Sequence, residues 1–278
     1  MKIKHVGRTI GRVLTIVIIT LLFVYPFWWM VVNSLNTNAE IFGAPSLLPK
    51  SWQWSNYIEI FKVQPFARQL LNSVVVALVG TCGNVIVASL SGYAFARLRF
   101  PGRSLLFMLL LTALMMPIEV IIVPLFFQMV GWGFSDSLTP LMLIPIFGAQ
   151  GAFSAFMFRS FFITVPNELL EAARLDGLND FGIFTRIMLP IAKPVLSSAA
   201  ILAFLAAWNT YLEPLVFTSS VTNYTLPLAL NNFNDSYGQP QWNLQMAATT
   251  VSVLPIMLFY LFFQDKVTDA MVNSGMKG

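Results

Sequence analysis

The sequence has very few of the residues that build metal sites and covalent catalysts. Among 278 residues there is one cysteine, Cys82, and one histidine, His5. One chain cannot then form a disulfide, a His/Cys zinc site or a Cys/His nucleophilic pair. It also lacks the G-x-x-x-x-G-K-[ST] loop that binds nucleotide phosphates in ATPases. We therefore expect no catalytic residue, no metal site and no bound cofactor in this chain.

Charged residues are scarce as well, and this scarcity indicates the class of protein. Only 10% of the residues are charged and 57% are hydrophobic, whereas a soluble domain has roughly 25% charged residues. Several apolar runs reach the length of about 20 residues that a helix needs to cross a bilayer, and the alternation typical of barrel strands is missing. The sequence predicts an all-α membrane protein. Six spans are predicted, at residues 13–32, 70–95, 105–130, 138–158, 195–215 and 246–263.

The N-terminus has the basic and then apolar order of a signal peptide. However, the apolar run is 20 residues long, and it ends in aromatic residues without a small-residue cleavage site. We interpret it as a retained first span.

The distribution of basic residues predicts the orientation. With the N-terminus inside, thirteen of the sixteen Lys and Arg residues fall on the cytoplasmic side, and only Lys50, Lys62 and Arg68 fall outside. Short basic loops stay in the cytoplasm, so both termini are predicted to be cytoplasmic. The net charge of +4 is then a consequence of topology, and no nucleic-acid partner is needed to explain it.

This topology predicts two long external loops, 33–69 and 216–245, and one long cytoplasmic loop, 164–194, between the fourth and fifth spans. In the first external loop, Trp52, Trp54 and Tyr57 suit either an interfacial aromatic belt or a partner surface. The second external loop contains no Lys or Arg, and it suits either plain solvation or contact with an external partner.

The cytoplasmic loop has the punctuation of a helix pair. Pro166 suits the first turn of a helix, Glu168 and Glu171 lie near its positive end, and Arg174 follows Glu171 by three residues. Gly177 is predicted to end this helix in the left-handed conformation.

A second, amphipathic helix is predicted to follow Gly177. Asn179 or Asp180 is a candidate N-cap, and Pro190 is expected to end the helix. The predicted apolar face consists of Phe181, Phe184, Ile187 and Met188. The pair is either a projection that docks into a partner's groove or a solvated connector whose second helix lies on the bilayer.

The segment "EAARLDGLNDFGIFTRIMLP" has fixed identities at fixed spacing over 20 residues. It resembles the EAA loop of membrane-spanning subunits of binding-protein-dependent ABC importers. The segments "LNSVVVA", "YAFARLRFPGR", "MMPIEVIIVPLF" and "AAWNTYLEPL" resemble the carbohydrate branch, specifically the second permease type of the maltose importer. The C-terminal tail departs from the family pattern and keeps only its closing Lys-Gly.

This resemblance implies a heteromeric importer in a bacterial or archaeal inner membrane. Its expected partners are a second permease chain, two ATPase subunits that hold ATP and magnesium, an external solute-binding protein, a sugar and membrane lipid. The residues that carry over as the ATPase-coupling element are Glu171, Ala172, Ala173, Arg174, Asp176, Gly177, Leu189 and Pro190.

Polar groups within spans are candidate pathway residues. Glu119, between Pro117 and Pro124, is a hypothesis for the pathway or a gate, and its alternatives are the external interface or a helix break. Asn84 is a weaker candidate, because it shares a packing face with small residues. A further group combines a stacking surface with hydrogen-bonding groups, as sugars require, but also suits an interfacial belt. This group is Trp208, Asn209, Tyr211 and Glu213.

The cargo and the transport class have alternatives. A sugar or oligosaccharide is favoured over glycerol-3-phosphate or a polyol, because the predicted spans contain no Lys or Arg except near their cytoplasmic ends. Whether this chain or the other permease contacts the substrate stays open. A secondary transporter is a second class, but the internal repeat typical of such proteins is not evident. A membrane scaffold is a third.

Overall fold

The computed structural model describes residues 2–235 and 237–275, with side chains described for 11–235 and 237–261. The basic side chains before residue 11 and the closing Lys277 and Gly278 therefore lie outside the described residues. The described chain consists of helices, connecting segments and one isolated β-bridge, between Asn234 and Pro240. The α-helices are α1 (Lys2–Ser34), α2 (Asn38–Ile41), α3 (Asn56–Val63), α4 (Phe66–Arg97), α5 (Arg103–Met115), α6 (Ile118–Gly131), α7 (Thr139–Phe147), α8 (Ala149–Thr164), α9 (Asn167–Leu175), α10 (Asp180–Ile183), α11 (Leu189–Ile191), α12 (Lys193–Asn209), α13 (Leu212–Phe217), α14 (Leu226–Leu230) and α15 (Trp242–Gly275).

The predicted all-α membrane architecture is confirmed. Within the described residues, four helical segments are long and apolar enough to cross a membrane, and two bent helix pairs bring the number to six if each pair is one span. The four segments are Gly11–Ser34, Phe66–Arg97, Thr139–Thr164 and Trp242–Leu261.

The third predicted span is not one straight helix. Helices α5 and α6 meet at an angle of 106°, because Met116 and Pro117 interrupt them in extended conformations. A residue before proline is pushed away from helical geometry, and Pro117 then supplies the N-cap of α6. Pro124 lies inside α6 and does not end it.

The fifth predicted span, 195–215, is not one continuous helix. Helix α12 ends at Asn209, Thr210 is extended with ψ at 132°, and the short helix α13 follows. At its other end, α12 forms a bent pair with Asp180–Ile191, at an angle of 80°.

The chain divides into two compact units. The first comprises Met1–Phe66 and Leu230–Ile256. Within it, buried Asn56 donates to the carbonyl groups of Ser34 and Asn36, at 2.8 and 3.0 Å, and its own amide oxygen accepts from Asn243 at 3.2 Å. One side chain thus ties the end of α1 to the start of α3 and to α15.

The second unit comprises Ala67–Ala229 and Met257–Gly278. Gly92 of α4 allows the close approach of α8: a Cβ atom at this position would lie 2.6 Å from Cβ of Phe158 and 2.9 Å from the backbone nitrogen of Arg159. Phe158 and Phe162 of α8 are fully buried here. The residues predicted as coupling and pathway candidates all belong to this unit.

Candidate functional site

Helix α9 carries the EAA sequence and ends as predicted, but it begins one residue later than predicted. Pro166 was predicted in the first turn, whereas it immediately precedes the helix as its N-cap, with ψ at 141°. Gly177 has φ at +84°, and the Leu178 N–H donates to the Ala173 carbonyl at 3.0 Å. The left-handed glycine that ends the helix is therefore confirmed.

The two faces of α9 have different environments. Leu170 and Ala173 point inwards and are 5% and 4% exposed. Glu171, Ala172 and Arg174 are exposed, as are Asp176 and Gly177. Leu175, which sequence reasoning did not select, is 90% exposed at the end of the helix. The outward face of α9, defined here as Glu168, Leu169, Glu171, Ala172 and Leu175, is thus part acidic and part apolar.

The second helix of the predicted pair follows α9, and we refer to the two together, residues 167–191, as the block. This second helix begins as predicted but continues differently. The Asn179 side chain accepts from the Gly182 N–H at 2.8 Å, so Asn179 is the N-cap. Pro190, exposed beside half-buried Leu189, does not end the helix, which continues to Ile191. A wide π-helical turn, Phe184–Met188, precedes α11. In this turn the Leu189 N–H donates to the Phe184 carbonyl. This turn shifts the hydrogen-bond register before Pro190, which has no N–H to donate.

The apolar face of this second helix differs from the predicted one at Phe181, which is 66% exposed. Ile183, Phe184 and Met188 are buried. Arg174 also differs from expectation, since it pairs with Asp180 at 3.0 Å and not with Glu171. Both partners of that ion pair are about half exposed, so it contributes little stability.

A continuous core joins the block to the helices of the second unit. Tyr93 of α4 packs its ring against Phe162 of α8 at 6.0 Å and against Phe184 of the block at 5.3 Å. Leu170, Ala173 and Met188 belong to the same buried cluster. Close-packed protein interiors transmit displacement, so a displacement of α9 would reach α4 and α8.

Arg97, the last residue of α4, is a functional candidate that sequence reasoning missed. Its Nε donates to the Phe162 carbonyl at 2.9 Å, and its terminal nitrogens reach the Val165 carbonyl and the Oδ1 atom of Asn167. These partners lie at the end of α8 and the start of α9. One guanidinium therefore joins α4, α8 and α9 at the N-terminal end of the EAA helix. In the sequence Arg97 contributed to the charge count and lay within the segment "YAFARLRFPGR", but neither signal indicated its partners.

The second unit also contains a cavity of about 790 Å³. Its walls come from α5, α6, α7, the start of α8, the end of α12 and α13, so both interrupted predicted spans contribute. Most of the lining is apolar. The lining residues with polar side-chain atoms are Gln128, Trp132, Gln150, Thr210 and Glu213.

Of the predicted pathway group at the end of α12, one member lines this cavity. Glu213 does so and accepts a hydrogen bond from the Thr210 hydroxyl. Tyr211 and Asn209 are exposed, and the Asn209 amide donates to the Leu205 carbonyl at 2.8 Å. Trp208 is buried and stacks on Phe204, with the ring centroids 5.7 Å apart.

Glu119 and Asn84 lie elsewhere. Glu119 is exposed in the first turn of α6, one residue along from cavity-lining Ile118, and is not itself in the lining. Asn84 is fully buried and donates to the Pro145 carbonyl at 2.6 Å. That carbonyl is next to the break between α7 and α8, so Asn84 supplies a donor where the helix is interrupted.

The segment 218–226, within the second predicted external loop, is anchored by polar side chains. Asn72 donates to the carbonyl groups of Thr222 and Tyr224 at 2.9 and 3.0 Å, and Ser73 accepts from the Leu226 N–H. Asp136 accepts from the Ser220 hydroxyl and from the N–H groups of Ser220 and Ser219. These bonds hold the pKa of the Asp136 carboxyl well below its usual range.

Comparison with known proteins identifies the family. The family model "Binding-protein-dependent transport system inner membrane component" matches residues 84–272. This chain belongs to that family. It is a multi-pass, non-catalytic permease subunit of an ABC transport system, in which partner ATPases hydrolyse the ATP.

Full-length relatives agree with this membership. The permease subunit is 31% identical to the "Arabinooligosaccharides transport system permease protein AraQ" of Bacillus subtilis (strain 168), over 97% of this chain and 96% of the relative. It is 35% identical to the "sn-glycerol-3-phosphate transport system permease protein UgpE" of Yersinia pestis bv. Antiqua (strain Antiqua), over 93% and 94%.

A solved structure has the same fold. It is a chain of "a bacterial ABC transporter involved in the import of the acidic polysaccharide alginate", with a TM-score of 0.79. The match covers 92% of this permease subunit and 95% of that chain at 22% sequence identity, so it supports the fold and not the cargo.

Proposed function

We propose that this permease subunit forms half of the translocation pathway of an ATP-driven importer for a sugar or oligosaccharide. The movement of the ATPase subunits reaches this subunit through α9. The observation that supports the proposal is the outward face of α9, a capped, exposed helix surface whose opposite face is anchored in the core of the second unit. A surface connector would need neither the caps nor the buried anchor.

In the proposed mechanism, the outward face of α9 docks in a cleft of an ATPase subunit. Leu175 supplies apolar contact area, and Glu171 is available to pair with a basic group of the partner. When the ATPase subunits close, they displace α9. The buried cluster and Arg97 pass the displacement to α4 and α8, and the spans rock between inward-open and outward-open states.

The remaining coupling positions support this surface. Gly177 allows the sharp turn, Asp176 precedes it, and Arg174 ties the two helices of the block through Asp180. Ala173 anchors α9 from inside. Leu189 and Pro190 lie in the last turn of the block, just before the bend to α12.

The proposed assembly contains a second permease, two ATPase subunits with their ATP and magnesium, and an external solute-binding protein. It lies in a bacterial or archaeal inner membrane with both termini of this chain in the cytoplasm. Loop 216–245 contacts the binding protein, and the bonds of Asn72, Ser73 and Asp136 set the position of its first part.

For the cargo, the relatives offer two classes, arabinooligosaccharides and sn-glycerol-3-phosphate. The lining of the cavity includes one carboxylate, Glu213, and no Lys or Arg. An anionic solute would require basic groups there, so a neutral carbohydrate fits better. A thermal-shift screen of the cognate binding protein against sugars and glycerol-3-phosphate tests this, since a bound ligand stabilises the native form.

Coupling is tested by reconstituting the whole importer in proteoliposomes. Glu171→Ala and Gly177→Pro should lower copurification of the ATPase and ATP-driven uptake, while both variants still insert in the membrane. Glu59→Ala, which removes an exposed carboxylate from the first predicted external loop, should behave as wild type. Normal coupled uptake by both variants, or wild-type uptake without any ATPase subunit, would refute the mechanism.

A further inference from the structure

We propose that the 790 Å³ cavity is a saccharide-contact subsite of this chain, with Trp132 as its stacking wall and Gln128, Gln150, Thr210 and Glu213 as its polar groups. The inference rests on the proposed import function and extends it, because it makes this chain, and not only the second permease, a direct contact for the cargo.

The cavity offers the two kinds of polar group that a sugar hydroxyl needs. Among the described residues, the Nε2 atom of Gln150 is buried and has no hydrogen-bond acceptor. A buried donor without a partner costs about 1–3 kcal/mol. The Nε2 atom has almost no accessible surface, so in the proposed site the Gln150 amide turns towards the cavity and donates to a solute hydroxyl, which removes that cost. On the acceptor side, Glu213 receives one bond from Thr210, and a carboxylate has room for several more.

The aromatic wall fits the less polar faces of a sugar ring. Trp132 follows directly after α6 and is 58% exposed, although it lines the cavity. An indole ring presents a wide, polarisable face against which the C–H groups of a pyranose or furanose can pack. Gln128, one helical turn earlier, lies beside it along the lining and adds an amide.

Size and charge narrow the class of solute. The volume lies within the range of about 300–1,000 Å³ that is usual for small-molecule sites. The lining contains a carboxylate and no basic residue, so an anion such as a phosphate ester would meet repulsion without compensation. The cavity therefore favours neutral polyhydroxylated solutes, from a single sugar to a short oligosaccharide.

The test uses the complete importer in proteoliposomes, with its binding protein and with α-1,5-arabinotriose, maltose and glycerol-3-phosphate as probes. Uptake and ATP hydrolysis are measured in the same vesicles for wild type, Trp132→Ala and Gln150→Ala. The matched control is Phe127→Ala. This variant removes an aromatic ring from α6, the helix that Trp132 directly follows. Phe127 is 69% exposed and is not in the cavity lining.

We expect both cavity variants to reduce uptake of a neutral probe per ATP hydrolysed by about fivefold or more, the effect of one lost polar or stacking contact. ATP hydrolysis stimulated by the binding protein should persist, which shows that the variants fold and assemble, and Phe127→Ala should match wild type. An unchanged ratio in both variants would mean that lipid or the second permease fills the cavity.

The inference and the proposed function fail in different ways. If wild type imports only glycerol-3-phosphate, the neutral subsite is wrong while ATP-driven import stands. If wild type imports none of the three probes in an ATP-dependent manner, both are wrong.

Discussion

Single side chains at helix ends join separate helices of this permease. Arg97 is the clearest case, since it ends α4, donates to carbonyl groups at the end of α8 and reaches the first residue of α9. The last carbonyl groups of a helix have no partner within it, and a cation there also interacts favourably with the helix dipole. Asn84 acts in the same way at the break between α7 and α8.

Replacing Arg97 should therefore impair both stability and coupling. In Arg97→Ala, several partly buried carbonyl groups lose their donor, and we expect a loss of about 2 kcal/mol in the free energy of unfolding. Arg97→Lys should recover only part of it, because an ammonium lacks the planar fork of donors. The measurements are thermal unfolding in detergent and uptake per ATP hydrolysed.

The neighbouring Arg99 is the control for this experiment. It is exposed and only two residues away, so Arg99→Ala removes the same charge from the same region. If Arg97→Ala and Arg99→Ala have equal effects, then net charge and not the junction of three helices is responsible.

At the scale of elements, α9 has one exposed face, which we propose docks the partner, and one buried face that belongs to the fold. Ala172 and Ala173 are adjacent in the EAA motif, but the first is exposed and the second is 4% exposed within the core. The sequence motif alone assigns both alanines to docking. The helical geometry separates them, because successive residues point about 100° apart.

This separation predicts opposite defects for a matched pair of substitutions. Ala173→Leu adds volume to a packed core and should destabilise the subunit by about 1–3 kcal/mol. Ala172→Leu adds the same side chain on the outward face, so the melting temperature should stay unchanged while ATPase copurification falls. Thermal unfolding and the stoichiometry of the purified complex distinguish the two. A stability loss in Ala172→Leu would place that residue in the fold and not at the partner surface.

For the whole molecule, acid tolerance depends on the few carboxyl groups with strong partners outside the spans. The folded-state pKa of Asp136 is depressed by the hydroxyl of Ser220 and the N–H groups of Ser220 and Ser219. Its contribution to stability is fully present above the pKa of the unfolded chain, about 3.9. The contribution is lost only as the pH falls from there towards the lower folded value.

The expected outcome is a stability difference between wild type and Asp136→Asn that is constant from pH 5 to pH 8. It should shrink below about pH 4, where the unfolded carboxyl takes up a proton. Thermal unfolding of the intact importer across this range measures the stability difference. Asp235→Asn, which replaces a carboxyl group in the first compact unit, serves as the comparison. A difference that instead grows as the pH falls would contradict the assigned bonds.

Much of this architecture was predictable because lipid allows few solutions. Apolar length and scarce charge predicted an all-α membrane protein. Gly177 and Asn179 predicted where the first helix of the block ends and where the second begins. The break within 195–215 was missed because the predicted span was carried past the apolar run and through the polar residues Asn209 and Thr210, where the backbone turns extended. The miss at Phe181 has a different cause, since helical spacing predicts which side chains share a face but not how far along that face the core extends.

The sequence by itself determined the class of protein, the family and the position of the EAA helix, since these depend on local composition and spacing. Only the tertiary structure decided which face of α9 is free, that Arg97 joins three helices, and that Glu213 lies in a cavity with Gln150 and Trp132. The partners of Arg97 are 65 to 70 residues away along the chain. Contacts at such separation come from the packing of helices, and neither periodicity nor a motif encodes them.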